Sequence, residues 1–301
     1  MKSLILYFII VLIISGVCGC HEKTYSYSSV NKVSRSADGD IMLVGRCTME
    51  RLQQPPFNSW FVKNYDDYSV DTITAEKIKS SMQHTQFKIF MGTWCGDSRR
   101  EVPRMFKLLR YCGVNSSQIE LILLDNRDSL YKQSPGHEER GMNIHHVPDF
   151  IVFENKKEAG RIIESPVVSL EKDLYRIINR EGYSGNYKAT GYLIDYFQSN
   201  NLPNHGKDYS TLESNVKSLA SGPSELNTYG YVLMAAGEMQ KAGMVFKLNT
   251  QIYPDKSNVF DSLGEYYFKT GNKSLARENY QKVLQMEPDN ANAKKMIAQL
   301  Q

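Results

Sequence analysis

The chain has 301 residues, 41% hydrophobic and 23% charged, the proportions of a folded globular protein rather than a disordered or collagen-like one. Its 36 basic and 33 acidic residues leave a formal charge of +3 with no Lys/Arg block, which points away from a nucleic-acid partner. The five cysteines are Cys18, Cys20, Cys47, Cys95 and Cys112, too sparse and odd a set for a disulfide scaffold, so any thiol chemistry rests on one or two of them.

Lys2 precedes an unbroken apolar run from Leu4 to Ile14, followed by Ser15, Gly16, Val17, Cys18, Gly19 and Cys20. A positive start, an apolar core of this length and small residues after it predict a secretory signal over residues 1–19; the run is short for a spanning helix. The ending resembles a bacterial lipobox, which implies lipidation at Cys20, where Gly19 precedes it; Cys18 follows Val17 and fits less well. An uncleaved anchor helix or a plain secretory signal are the alternatives. Residues 20–40 are expected to be a tether. The expected location is the bacterial cell envelope, lipid-anchored and extracytoplasmic, where disulfides persist.

From residue 41 strands and helices alternate. Strands are expected at Ile41–Cys47, Phe87–Trp94, Ile119–Asp125, Phe150–Glu154 and Ala159–Ile163. Helices are expected at Phe57–Tyr68, from a cap at Thr74 to Gln83, at Ser98–Tyr111 and at Ser169–Arg180. Ile119–Asp125 is continuously apolar, as in a strand buried on both faces. Asn126–His146 reads as polar loop, and Asn155-Lys156-Lys157-Glu158 as a hairpin turn. This order predicts an α/β sheet with covered faces over residues 41–183.

The segment from Phe87 through Gly92-Thr93-Trp94-Cys95-Gly96-Asp97-Ser98 resembles the active-site strand and turn of thioredoxins. Pro103 matches the proline in that family's active-site helix, and Val147-Pro148-Asp149-Phe150 matches its cis-proline strand. The resemblance implies a thioredoxin-like fold with Cys95 as nucleophile and Trp94, Gly96 and Ser98 shaping the site. It also implies that Val147 and a cis Pro148 position a substrate backbone. A thiol at a helix N-terminus is favoured as thiolate and attacks a disulfide to form a mixed disulfide.

The sequence departs from the family where the second thiol belongs. Ser98 can hydrogen-bond but cannot resolve an intermediate. Cys112 lies about 25 Å further along a continuous helix, beyond disulfide reach. Cys47 is on another element. The family's buried carboxylate aligns with Ile89, and its groove-lining glycine aligns near Glu164. Asp97, Asp149 and Glu164 are therefore expected around the thiol, opposed by Arg99 and Arg100. Cys47 and Cys112 read as core or helix-end residues, with a disulfide between them left open. His145-His146 reads as surface, with copper or zinc binding beside Cys95 as the alternative. No cofactor or metal is assigned.

The last third repeats. A shift of 34 residues superposes Gly230 on Gly264, Gly237 on Gly271, Ala242 on Ala276, Phe246 on Tyr280 and Pro254-Asp255 on Pro288-Asp289. This period and the residues Phe260, Leu263, Gly264, Tyr267, Ala276, Tyr280 and Pro288 resemble tetratricopeptide (TPR) repeats, placed at 223–256 and 257–290. Helices near Lys188–Gln198 and Ser210–Ala220 and a capping helix at Asn292–Leu300 complete an all-α domain over 184–301. The resemblance implies a concave face for a protein partner, or helices that only brace the preceding domain.

The expectation is an α/β thioredoxin-like domain followed by an all-α TPR-like helical domain, held to a membrane through a lipid on Cys20. Its expected activity is single-thiol disulfide exchange on disulfide-containing or extended protein substrates. The alternative is a non-enzymatic peptide-binding scaffold.

Overall fold

A computed structural model describes residues 30–36, 38–199, 202 and 207–300. The expected signal, Cys18, Cys20 and the first part of the tether lie outside the described residues. The rest is a six-stranded mixed sheet with its helices, followed by a run of helices, matching the expected two-part order.

The sheet comprises β1 (Lys32–Arg35), β2 (Ile41–Cys47), β3 (Thr85–Met91), β4 (Ile119–Leu123), β5 (Asp149–Glu154) and β6 (Lys157–Ile163), in the spatial order β1-β2-β4-β3-β5-β6. Only β3 and β4 run parallel, with Ile89 opposite Leu121. The other neighbours are antiparallel, and β5 places Phe150 opposite Ile89 and Asp149 opposite Phe90. β1 corrects the tether expectation: residues 32–35 pair with Ile41–Val44. The β5–β6 hairpin turns on Asn155 and Lys156, whose φ values of 50° and 64° suit the right-handed twist of the flanking strands.

The strands' two-residue side-chain period sorts two cores. On one face Phe87, Ile89, Leu121, Leu123, Phe150 and Val152 pack with α2 (Asn58–Asp66), α3 (Thr72–Met82), α4 (Gly96–Tyr111) and α5 (Leu170–Ile178), preceded by a single turn, α1 (Met49–Leu52). Asp71, not Thr74, caps α3: its carboxylate accepts from the Thr74 N–H at 3.2 Å. A carboxylate fixed one residue outside the helix satisfies a donor that Thr74, inside the first turn, leaves open.

On the other face none of the described helices covers Phe90, Ile122 and Ile151. They are covered by Leu124, Ile144 and Val147, with Met142, Trp94 and Cys95 against them. The segment expected as plain polar loop is therefore the second layer of the sheet.

After α5 the chain forms α6 (Lys188–Ser199), α7 (Lys207–Leu219), α8 (Pro223–Ala235), α9 (Met239–Ile252), α10 (Ser257–Lys269), α11 (Lys273–Met286) and α12 (Ala291–Gln299). Each boundary of the α8–α9 hairpin recurs 34 residues later in α10–α11. A Cβ on Gly230 would stand 2.6 Å from the Phe246 ring, and one on Gly264 would stand 3.1 Å from the Tyr280 ring. The small residue is thus what lets each hairpin close over its aromatic. Gly237 and Gly271 make the intervening turns at φ 81° and 80°. None of the described helices is long and apolar enough to cross a membrane.

The two parts touch. The Gln133 side-chain amide donates to the Ala235 carbonyl at 2.6 Å, and the His145 and Tyr229 rings meet edge to face at 6.1 Å. Tyr187, just before α6, stacks on His146 at 3.7 Å.

Candidate functional site

The site forms where β3 hands over to α4. The Cys95 N–H donates to the Gly92 carbonyl at 3.0 Å, closing the turn, and the Arg99 N–H donates to the Cys95 carbonyl at 3.0 Å, opening the helix. Cys95 is therefore the N-cap of α4, at the positive end of the helix though its side chain bonds none of the first-turn amides, and is half-buried. Its Sγ donates to the Val147 carbonyl at 3.2 Å. The next peptide bond, Val147–Pro148, is cis. Both of those side chains are buried, whereas Gly96 is exposed.

Trp94 lies against the apolar cluster formed by Phe90, Ile122 and Ile144, and its indole N–H donates to the Leu124 carbonyl at 2.8 Å. A Cβ on Gly92 would come within 2.4 Å of that indole, so only glycine leaves room for it. Ser98 is fully buried and its Oγ accepts from the Gly92 N–H at 3.3 Å. The hydroxyl thus fixes the turn that carries the thiol. Ile89 is fully buried on the α4 side of the sheet and contributes no charge.

The charges sort differently from the sequence expectation. Arg100 pairs with Asp97 at 2.6 Å and with Glu101 at 2.6 Å, while the Arg99 guanidinium donates to the Thr93 carbonyl at 2.6 Å. Asp149 turns to Arg161 at 3.0 Å. Burial pushes its carboxyl up to about 7 against the pull of that guanidinium, and its Oδ1 has no partner. Glu164 adopts φ 64°, the left-handed conformation that favours glycine. Its N–H donates to the Pro148 carbonyl at 2.6 Å, and its carboxylate accepts from the Tyr187 hydroxyl.

His145 and His146 are buried, not surface residues, with their Nδ1 atoms 2.8 Å apart. One ring must donate to the other, so one nitrogen of each is already used. Burial, helped by the Lys132 ammonium, pushes His145 down to about 3 and His146 lower still, which keeps both neutral. Among the described residues no group of three His, Cys, Asp or Glu side chains stands ready to hold a metal ion.

Cys47 and Cys112 are buried free thiols, pushed up by burial to about 12 and about 11 respectively. Cys95 is the accessible thiol among the described residues.

Two neighbours were not legible in the sequence. Tyr131 and Lys132 sit inside the expected polar loop with nothing to mark them. Yet the Tyr131 ring lies 6.3 Å from that of Trp94, and Lys132 is 5% exposed. Both also line a groove of about 450 Å³ between this segment and the helical part, whose other wall includes Phe197, Tyr229 and Leu233. In comparisons with known proteins, the chain matches no family model and no curated protein.

Proposed function

We propose that this chain is a thioredoxin-like protein with TPR-like helices, anchored through Cys20 on the outer side of a bacterial membrane, that performs single-thiol disulfide exchange at Cys95. One observation carries the reading: the accessible thiol caps α4, hydrogen-bonded to the carbonyl that precedes Pro148, while Cys47 and Cys112 are buried.

The Cys95 thiolate attacks one sulfur of a substrate disulfide. The S–S bond breaks, a mixed disulfide forms on Cys95, and the departing cysteine sulfur takes a proton from solvent. Ser98 has no sulfur to complete a second exchange, so release requires attack by an external thiol on the mixed disulfide. That attack restores the Cys95 thiolate and passes the disulfide to the external thiol. Trp94 supplies an apolar wall, and the groove lined by Phe197, Tyr229 and Leu233 suits the chain flanking a substrate cysteine.

The test uses the protein with Cys95 as its one cysteine (Cys18→Ala/Cys20→Ala/Cys47→Ala/Cys112→Ala) and glutathione disulfide, read by intact mass. One glutathione adduct, absent after Cys95→Ser, is expected. Ser98→Cys places a second thiol one helical turn on, and is expected to give insulin reduction under thiol recycling. Because Ser98 is buried and bonded within the turn, a pure binding module is the second reading. An inert Cys95 in a protein that still retains a cysteine-free extended peptide would establish it.

A further inference from the structure

Lys132 is a buried cation without a bonded carboxylate. Its ammonium donates to the His145 carbonyl at 2.6 Å and lies 4.9 Å over the Tyr131 ring; no ion pair joins it to an Asp or Glu among the described residues. Its backbone is fixed as well. Its φ is 55°, its N–H donates to the Asp125 carbonyl at 2.9 Å, and the Asp125 N–H donates to the Gln133 carbonyl at 2.9 Å. A buried ammonium held by a carbonyl and a ring face calls for an anion to compensate its desolvation.

The geometry offers that anion. The His145 carbonyl that Lys132 grips and the Val147 carbonyl that Cys95 grips are two residues apart in the chain, so their backbones lie no more than about 7 Å apart. Tyr131 lies beneath Lys132 and against Trp94, the residue before Cys95. We infer that Lys132 is a positioning residue for thiol exchange, its ammonium the fixed counter-charge of the Cys95 thiolate; the inference rests on the exchange chemistry proposed above.

The other charged and titratable groups on these elements are already engaged. Asp97 is held by Arg100, Asp125 by Arg127 and Asp149 by Arg161, and His145 and His146 are neutral against each other; the Glu164 carboxylate, which accepts from the Tyr187 hydroxyl, is the second anion acting on Lys132. Burial holds the Tyr131 phenol protonated, pushing it up to about 12. One consequence follows for exchange. When a mixed disulfide forms, the charge on Cys95 disappears and Lys132 loses that partner, so Cys95 becomes the better leaving group when the external thiol attacks.

The test is the pH dependence of Cys95 alkylation by iodoacetamide in the full chain with Cys18, Cys20, Cys47 and Cys112 each replaced by Ala, with Lys132→Met and Lys132→Arg added. The pH of half-maximal rate is expected to rise by about one unit or more in Lys132→Met and to return most of the way in Lys132→Arg. An unchanged midpoint in a Lys132→Met protein with wild-type near-ultraviolet circular dichroism overturns the inference.

A second readout needs no Lys132 variant. In the protein with Cys95 as its one cysteine, anionic iodoacetate should gain several-fold on neutral iodoacetamide relative to the same pair of rates on N-acetylcysteine. No gain overturns the inference even where Lys132→Met fails to fold. If alkylation follows Lys132 but no glutathione adduct forms, the counter-charge stands and the exchange reading falls. An adduct that forms alike with Lys132 and Met does the reverse.

Discussion

Both parts of the molecule set a glycine under an aromatic ring, and the contrast between them is instructive. In the helices Gly230 meets Phe246 and Gly264 meets Tyr280, each ring 16 residues further on and each contact a copy of the other. Under the sheet Gly92 meets Trp94 two residues away, but Trp94 is then fixed by Leu124, 30 residues on, and Cys95 by Val147, 52 residues on. The helical part is a repeated local solution, whereas the site is a single arrangement closed by long-range carbonyls. A repeat can tolerate a weakened copy. The site has no second copy to fall back on.

The largest effect should come from Cys95→Ser, which should abolish the glutathione adduct while leaving the thermal midpoint within a few degrees. Residual adduct on a buried thiol would erase the distinction between Cys95 and the other cysteines. Next, Phe246→Ala and Tyr280→Ala should each cost about 3–5 kcal/mol in urea unfolding, the usual toll of removing a buried aromatic. Equal costs would sharpen the repeat equivalence. A nearly neutral Tyr280→Ala would break it and mark the second hairpin as an appendage.

Acid should act at the joint between the parts. The unfolded chain binds protons at His145 and His146 near pH 6.5 and the folded one does not, so their contribution is complete above that pH and declines as pH falls; Asp149, raised to about 7, offsets about one histidine's share of that slope. Each histidine contributes a slope of roughly 1.4 kcal/mol per pH unit, down to about pH 3 for His145. Urea midpoints measured between pH 7 and 4 test this. If His145→Asn/His146→Asn retained the full wild-type slope, its source would lie elsewhere.

The smallest effect separates two glycines of the site turn. Gly92→Ala should cost about 1–3 kcal/mol and displace the Trp94 indole, visible as a change in tryptophan fluorescence. Gly96→Ala, where nothing lies within 4 Å, should be close to neutral.

Element positions were legible in the sequence wherever the period was local. The bounds Ile41–Cys47 and the 34-residue hairpins could be read directly, because side chains that alternate or recur need only near neighbours to show their pattern. The short strand Lys32–Arg35 was not legible: three polar residues and an exposed Val33 carry no pattern until β2 supplies their hydrogen bonds. The turn carrying Cys95 and Ser98 was visible in Trp94-Cys95-Gly96-Asp97-Ser98, but the orientation of Ser98 toward Gly92 was not.

By itself, the sequence determined the order of sheet and helices, the repeat and the one cysteine placed at a strand-to-helix turn. Tertiary structure alone decided what surrounds that cysteine. It buried His145 and His146 under Tyr187, turned Asp149 to Arg161 and brought Lys132 into the layer over Phe90 and Ile122. The reason is physical: a backbone period is set by each residue and its neighbours, whereas the cost of burying a charge depends on partners that only the folded chain brings within reach.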